Sequence, residues 1–195
     1  MFFMNNRIKI ILLILFCLFS IKSQNINIKT QYSFHTYLFK CEKHIKNYID
    51  NLNLKYDYQK DFFNKYLLDI YLHSYKPSIV TAQAILESNW GRCKLSENNN
   101  LFGIKGSDII VDTKEYINGN VCNKKLSFKK FDSIKDQIDY HNKTWGEDMI
   151  NLSINESIDY LISKNYATDP DYGNKIKKII KTYNLDYLDE NIIAW

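Results

Sequence analysis

Residues 76–91 read Lys76-Pro-Ser-Ile-Val-Thr-Ala-Gln-Ala-Ile-Leu-Glu-Ser-Asn-Trp-Gly91, which predicts a short helix that carries one carboxylate. Pro77 fits the first helical turn, the Ser78 hydroxyl can occupy an unpaired amide there, and Gly91 can end the helix. At about 100° per residue, one side collects the apolar residues Ile79, Val80, Ala82, Ala84, Leu86 and Trp90. Glu87 falls inside this arc, where burial would disfavour the charged form and raise the pKa. The pattern is typical of a general acid, and the alternative is a helix-end glutamate that reaches solvent or caps an amide.

Two blocks of this sequence resemble a known family. The helix above, followed by Asn99-Asn100-Leu101-Phe102-Gly103-Ile104-Lys105-Gly106, resembles the glucosaminidase domain of glycoside hydrolase family 73, found in bacterial autolysins and flagellar rod-assembly enzymes. The segments Thr113-Lys-Glu-Tyr-Ile-Asn-Gly119 and Tyr166-Ala-Thr-Asp-Pro-Asp-Tyr172 extend the resemblance over about residues 61–187. The sequence departs from the family pattern at Asn89, where a small residue is common, and at Cys93. Neither departure removes a group that the chemistry requires.

The resemblance implies roles for individual side chains. Glu87 would be the general acid, Glu115 the second carboxylate, and Tyr166 a tyrosine near the acid that orients substrate or water. Each has a structural alternative, since a strand glutamate often faces solvent and a tyrosine often belongs to the core. The resemblance further assigns to substrate binding the side chains of Gln83, Asn100, Phe102 and Tyr172.

The implied activity is a secreted endo-β-N-acetylglucosaminidase that cleaves β-1,4 bonds in the glycan strands of peptidoglycan, as an autolysin would. Such hydrolysis uses one carboxyl group to protonate the leaving oxygen and another to stabilise the cationic transition state or to activate water. Because the separation of the two groups cannot be obtained from the sequence, inversion, retention and substrate assistance all stay open. The alternatives are a lytic transglycosylase or muramidase acting on the same substrate, and a non-catalytic glycan-binding protein of the same fold.

The first 24 of the 195 residues differ in kind from the rest. A basic start at Arg7 and Lys9 precedes an apolar run over residues 10–19 and a polar exit. The run is shorter than the roughly 20 apolar residues that span a bilayer, which favours a cleaved secretory signal at residues 1–24. We therefore expect a secreted, periplasmic or cell-wall associated protein with no stable membrane insertion after cleavage. A helical extension over residues 25–57 and one glucosaminidase domain over residues 58–195 would follow.

Charge argues against a nucleic-acid partner. The formal charge of the whole chain is +4, and without residues 1–24, which hold three basic residues and no acid, it is +1. Binding a polyphosphate requires a concentrated basic face, which this balance does not offer. The partner that the family resemblance implies is peptidoglycan, and we expect a monomer.

Cysteines and histidines give no metal or cofactor motif. Three cysteines follow the signal, Cys41, Cys93 and Cys122, so at most one internal disulfide can form. A bridge between Cys93 and Cys122 and a free thiol at each position are both open. The histidines are scattered without metal-ligand spacing and are interpreted as structural or surface residues, at positions His35, His44, His73 and His141.

The remaining pattern predicts helices around a small hairpin. Apolar spacing predicts helices over residues 32–48 and 58–74, and alternation predicts strands over residues 111–117 and 121–128. A type I′ turn at Asn118-Gly119 would join the strands and place Glu115 opposite Cys122. Further helices are predicted to begin at Asp132 or Ser133, at Asn155, and at Asp169 or Pro170. The fold class is α+β, lysozyme-like, mainly helical with a small β-hairpin lobe.

Overall fold

The computed structural model describes residues 28–117 and 120–190. The predicted signal at residues 1–24 and the predicted turn at Asn118-Gly119 lie outside the described residues. The described residues divide into two units, residues 28–40 and, as a second compact unit, residues 41–117 and 120–190. None of the helices in the described ranges has the length and apolar content needed to cross a membrane.

The described chain is mainly helical and contains one antiparallel hairpin, which confirms the predicted α+β class. A short 3-10 helix, Lys94–Asn98, precedes the hairpin, and a π-helical turn, Asn142–Gly146, joins two of the helices. The helices and strands are α1 (Ile28–Asn51), α2 (Asp57–His73), α3 (Pro77–Ser88), β1 (Lys105–Ile117), β2 (Asn120–Phe128), α4 (Ile134–His141), α5 (Glu147–Met149), α6 (Ile154–Ser163), α7 (Tyr172–Tyr183) and α8 (Asp186–Glu190).

Helix α3 lies at the centre of the compact unit. It contacts α2, α6, α7 and α8, and every residue from Pro77 to Ile85 is buried. The prediction that only one side of this helix is buried is therefore wrong, since burial extends around the whole helix up to Ile85. Because neighbours surround α3, the polar side chains of Thr81 and Gln83 are buried as well.

The start of α3 is held by a carboxylate from another helix. The Ser78 amide donates to Asp189 Oδ1 at 2.8 Å, and the Ser78 hydroxyl donates to Asp189 Oδ2 at 2.5 Å. The prediction that the Ser78 hydroxyl itself caps α3 is wrong, since Lys76 is the N-cap and Ser78 is bonded to α8. An anionic carboxylate at this end also interacts favourably with the helix dipole.

The end of α3 is an abrupt left-handed turn. The helix stops at Ser88, before the predicted Gly91, and Asn89, Trp90 and Gly91 follow with φ of 49°, 64° and 68°. A Cβ at Gly91 would lie 2.8 Å from Tyr66 Cε2, so glycine is required there by both conformation and space. This turn directs Trp90 into an aromatic cluster with Phe62, Phe63 and Tyr183.

The hairpin has the predicted register. Glu115 pairs with Cys122, and Thr113 pairs with Lys124. Strand β1 begins at Lys105, well before the predicted start, and Gly106 lies where the chain passes close to Lys129. A Cβ at Gly106 would lie 2.9 Å from the Lys129 amide nitrogen, so glycine allows the two chain segments to approach closely here.

The helices after the hairpin begin partly where they were predicted. Ser133 caps α4 by accepting from the Asp136 amide at 3.1 Å, as expected. The predicted cap at Asn155 is wrong, because Ser153 and Glu156 form a reciprocal capping box that starts α6 at Ile154. Helix α7 begins at Tyr172, two residues beyond the predicted Pro170.

The C-terminal part of α1 belongs to the core of the compact unit. Four of its side chains are buried, namely Cys41, Ile45, Tyr48 and Ile49. The Tyr48 hydroxyl donates to the Tyr183 carbonyl at 2.5 Å. Within the described residues, Cys93 carries a free thiol, which was one of the two alternatives for this residue. Its Sγ lies 3.3 Å from Ser96 Oγ.

Candidate active site

An open cleft of about 680 Å³ is formed where α3, the hairpin and the π-helical turn meet. Among the residues that the structure describes, the lining includes Glu87, Thr113 and several aromatic side chains, namely Phe102, Phe128, Tyr140, Trp145 and Tyr166. Apolar and aromatic walls with a few polar groups are typical of ligand sites, and aromatic faces suit the apolar faces of sugar rings.

Glu87 lies in the last turn of α3 and opens into this cleft. The side chain is exposed, so the expectation that it projects into an apolar interior is wrong. Its pKa is nevertheless raised to about 7, first by desolvation from the crowded cleft walls and then by the negative charge of Asp169. Water reaches the carboxyl group through the open side of the cleft, and a ligand that fills the cleft would strengthen the desolvation.

Tyr166 stands beside Glu87 in the cleft lining. Its ring is partly exposed and packs edge to face against Trp145, with centroids 4.9 Å apart. Its hydroxyl is buried and has no hydrogen-bond partner among the residues that the structure describes. Burial, then Tyr172 and Glu87, raise the pKa of this hydroxyl well above its usual value, so Tyr166 stays a neutral donor.

Gln83 and Tyr172 lie behind the cleft rather than in its lining. Both are buried, and the Gln83 amide donates to the Tyr172 hydroxyl at 3.1 Å. The Oε1 atom of Gln83 lies 3.0 Å from His141 Nε2. The two residues predicted to bind substrate therefore belong to a buried hydrogen-bonded chain that ends at His141.

Asn100 and Phe102 take different positions. Phe102 lines the cleft, where it was predicted to bind substrate. Asn100 is fully buried, and its Nδ2 donates to the Ile104 and Lys129 carbonyls at 2.9 and 2.8 Å. Its Oδ1 accepts from the Ile104 amide at 2.9 Å, so Asn100 fixes the loop that carries Phe102 instead of contacting the cleft.

Glu115 lies in β1, opposite Cys122 and two residues after Thr113, which lines the cleft. Its role as a second carboxylate stays a prediction. Asp169 was predicted to begin α7, which is wrong, because Asp171 is the N-cap of that helix. The Oδ1 atom of Asp169 accepts from the Asp171 amide at 2.9 Å, and its other oxygen pairs with Lys175.

His141 is a site residue whose role the sequence did not indicate. Its side chain is fully buried, and burial lowers its pKa to about 3, so it is neutral at ordinary pH. Its ring lies 4.7 Å from Phe102, 5.1 Å from Trp145 and 6.3 Å from Tyr166, measured between centroids. The sequence indicated only a structural or surface histidine, because the hydrogen bond to Gln83 depends on the fold.

Glu87, a carboxyl group of raised pKa in an open cleft between a helical body and a hairpin, fits the arrangement expected of a lysozyme-like glycoside hydrolase. A family model described as mannosyl-glycoprotein endo-beta-N-acetylglucosaminidase, named Glucosaminidase, matches residues 71–185, more than half of the chain. The chain belongs to this glucosaminidase family of glycoside hydrolases.

Individual relatives carry several names. The chain is 34% identical to a probable N-acetylmuramidase of Lactococcus lactis subsp. lactis, over 58% of this chain and 30% of that protein. It is 35% identical to the exo-glucosaminidase LytG of Bacillus subtilis, over 58% of this chain and 46% of that protein. The matched region therefore spans less than half the length of either relative.

Solved structures support the lysozyme-like fold. The catalytic domain of the autolysin Auto from Listeria monocytogenes is 28% identical with a TM-score of 0.57, covering 76% of this chain and 97% of that one. An N-acetylmuramoyl-L-alanine amidase structure from Staphylococcus aureus is 29% identical with a TM-score of 0.59, covering 72% of this chain and 46% of that one.

Proposed function

We propose that this protein is a peptidoglycan hydrolase, an endo-β-N-acetylglucosaminidase that cleaves β-1,4 bonds of cell-wall glycan strands with Glu87 as general acid. The observation that carries the proposal is the Glu87 carboxyl group, open to a cleft with aromatic walls and with its pKa raised to about 7. A glutamate with this pKa keeps a proton available near neutral pH, and it can deliver that proton to the leaving glycosidic oxygen.

The aromatic walls supply the binding surface in this proposal. Phe102, Phe128 and Trp145 line the cleft on the hairpin side and the helical side of Glu87. Sugar rings in contact with these side chains would be held with a glycosidic oxygen near the Glu87 carboxyl group. Such positioning contributes to catalysis by fixing the reacting atoms before proton transfer.

Glu115 is the proposed second carboxylate. Its position in β1 supports this role, because the same strand contributes Thr113, two residues earlier, to the cleft lining. We expect Glu115→Gln to lower kcat by orders of magnitude and to leave the thermal midpoint nearly unchanged, since glutamine keeps the size and shape of the side chain. Turnover on purified peptidoglycan checks this, with Asp112→Asn, at an exposed position of the same strand, as control. A near-normal kcat would assign the second role to another group.

The cleaved bond is the point on which the relatives' names differ, since one is called a muramidase and another a glucosaminidase. Mass spectrometry of digested peptidoglycan decides it by the new reducing end. N-acetylglucosamine ends support the proposal, whereas N-acetylmuramic acid ends indicate a muramidase and anhydro-sugar ends a lytic transglycosylase. Release of no fragments by the parent protein would favour a non-catalytic glycan-binding protein.

We also propose that residues 1–24 act as a secretory signal, so that the protein works outside the cytoplasm as a cell-wall associated monomer. The basic start and short apolar run of the sequence support this. Mass spectrometry of the protein from the culture supernatant would give the mature N-terminus. An intact N-terminus on active extracellular protein would contradict cleavage.

A further inference from the structure

Two lysines lie against aromatic rings of the cleft lining. Lys105 lines the cleft itself, and its Nζ lies 4.2 Å from the ring centroid of Phe128, another residue of the lining. The Nζ of Lys129 lies 5.1 Å from the ring centroid of Tyr140, which also lines the cleft. Neither lysine has a role in the mechanism proposed above.

The backbone holds the two lysines in neighbouring segments. The Lys129 amide donates to the Ile104 carbonyl at 2.9 Å, one residue before Lys105. The fully buried side chain of Asn100 donates to the Ile104 and Lys129 carbonyls at 2.9 and 2.8 Å. A Cβ at Gly106 would lie 2.5 Å from Lys129 Cγ, so glycine is needed for the two segments to lie this close. Buried contacts therefore set the positions of both lysines beside the cleft.

Contact with a ring leaves an ammonium group able to bind an anion. The ring face attracts the positive charge as a whole, and an ammonium group carries three N–H donors. The ring also replaces part of the surrounding water, which strengthens the attraction to an anion. Lys105 is exposed and Lys129 is half-buried, so both are accessible from solvent.

The glycan strands of peptidoglycan carry anions of the kind that these lysines would attract. Every second sugar bears a lactyl ether, and its carboxyl group is either free or joined to a short peptide with carboxylates of its own. A neutral glucosamine polymer such as chitin has no carboxylate. The two kinds of strand therefore differ in the group that an ammonium recognises.

We propose that Lys105 and Lys129 form a cationic subsite, which binds a carboxylate carried by the glycan strand and makes the cleft prefer acidic strands to neutral ones. The inference rests on the proposed function, because it concerns the substrate of the same cleft. A carboxylate held away from the reacting bond is bound equally in the ground state and the transition state. The two lysines should therefore act on KM and leave kcat to the other groups of the cleft.

The test compares peptide-free strands, whose lactyl carboxylates are free, with the same strands after conversion of those carboxylates to neutral methylamides. Lys105→Gln and Lys129→Gln should each lower kcat/KM on acidic strands about 3- to 10-fold. That loss lies between those expected for an exposed ion pair and for a buried hydrogen bond to a charged group. The double variant should cleave acidic and neutralised strands with the same kcat/KM.

Lys130→Gln is the matched control. It removes an exposed lysine of the same segment that is not among the described residues of the lining, so it should keep the parent preference. Added salt tests the parent without any substitution. Its preference for acidic strands should weaken as the salt concentration rises, since screening reduces the attraction between accessible charges.

Strands that keep their peptides identify the source of the carboxylate. A loss in the double variant on peptide-free strands assigns the lactyl carboxylate, and a loss confined to peptide-bearing strands assigns a carboxylate of the peptide. A double variant that matches the parent on both would overturn the inference, as would an equal loss on the neutralised strands.

Binding of the strands by Glu87→Gln, with and without the two lysine substitutions, separates this inference from the proposed function. Weaker binding after the lysine substitutions supports the subsite whatever the role of Glu87, and unchanged binding counts against it. Full activity of Glu87→Gln would instead overturn the role of Glu87 as general acid.

Discussion

At the scale of single residues, Glu87 owes its chemistry to neighbours that are distant in sequence. The helix pattern and the Ala-Ile-Leu-Glu block were enough to predict a carboxyl group of raised pKa. They could not predict that the group opens to a cleft, because that depends on the hairpin and the π-helical turn. They also could not predict Asp169, which lies 82 positions further along and adds to the shift.

Tyr166→Phe tests the neighbour of Glu87. The substitution keeps the ring contact with Trp145 and removes a buried hydroxyl that has no partner among the described residues. We expect kcat on peptidoglycan to fall at least about 10-fold if that hydroxyl binds substrate or water, with a thermal midpoint equal to or above that of the parent. Tyr140→Phe, at another tyrosine of the cleft lining, is the matched control. Unchanged kinetics in Tyr166→Phe would return this residue to the core.

At the scale of elements, α3 is positioned by contacts that the sequence pattern only partly indicated. Its proline start and its neighbouring helix α2 were predicted, since proline chemistry and apolar spacing are local signals. The carboxylate that holds its first turn comes from α8, about a hundred residues later, and no local signal could assign it. Asn100 and Gln83 were predicted to bind substrate, but both form hydrogen bonds to protein groups. Some of those groups, such as Lys129 and Tyr172, are also distant in sequence and have no local signal.

Asp189→Ala should loosen the start of α3. The variant loses the bonds to the Ser78 amide and hydroxyl, and the loss of a helix cap of this kind costs about 1 to 2 kcal/mol. For a chain of this size that lowers the thermal midpoint by roughly 2 to 8 °C. Thermal unfolding followed by circular dichroism checks this, and Asp189→Asn, which keeps one acceptor, should fall between the parent and the alanine variant. An unchanged midpoint in Asp189→Ala would show that the cap contributes nothing to stability.

At the scale of the whole molecule, the predicted class, hairpin register and helix order were all accessible from periodicity and family resemblance. The boundary placed at residues 57 and 58 was drawn where the resemblance weakens. The compact unit of the structure begins earlier, at Cys41, because the last turns of α1 bury Cys41, Ile45, Tyr48 and Ile49. The region that resembles the family therefore contains the site, whereas the region that packs into one core begins further towards the N-terminus, at Cys41.

Two truncations test that distinction. A chain that starts at Cys41 should keep a cooperative unfolding transition, whereas one that starts at Asp57 should lose it. The second truncation removes three large buried side chains, each contributing about 1.5 to 3 kcal/mol, from a protein whose whole stability is about 5 to 15 kcal/mol. Denaturant unfolding measures both. A stable fold in the shorter chain would show that the buried side chains of α1 are not needed for folding.

The most direct test of Glu87 as general acid is the pH–rate profile of the parent beside purified Glu87→Gln, both acting on peptidoglycan. Since the protonated carboxyl group is the active form and its pKa is raised to about 7, parent activity should fall as the pH rises through about 7. Glu87→Gln keeps the shape of the side chain but has no proton to deliver, so it should bind peptidoglycan and hydrolyse it about 10²- to 10⁴-fold more slowly at every pH. A folded Glu87→Gln protein that releases fragments as fast as the parent would contradict the account.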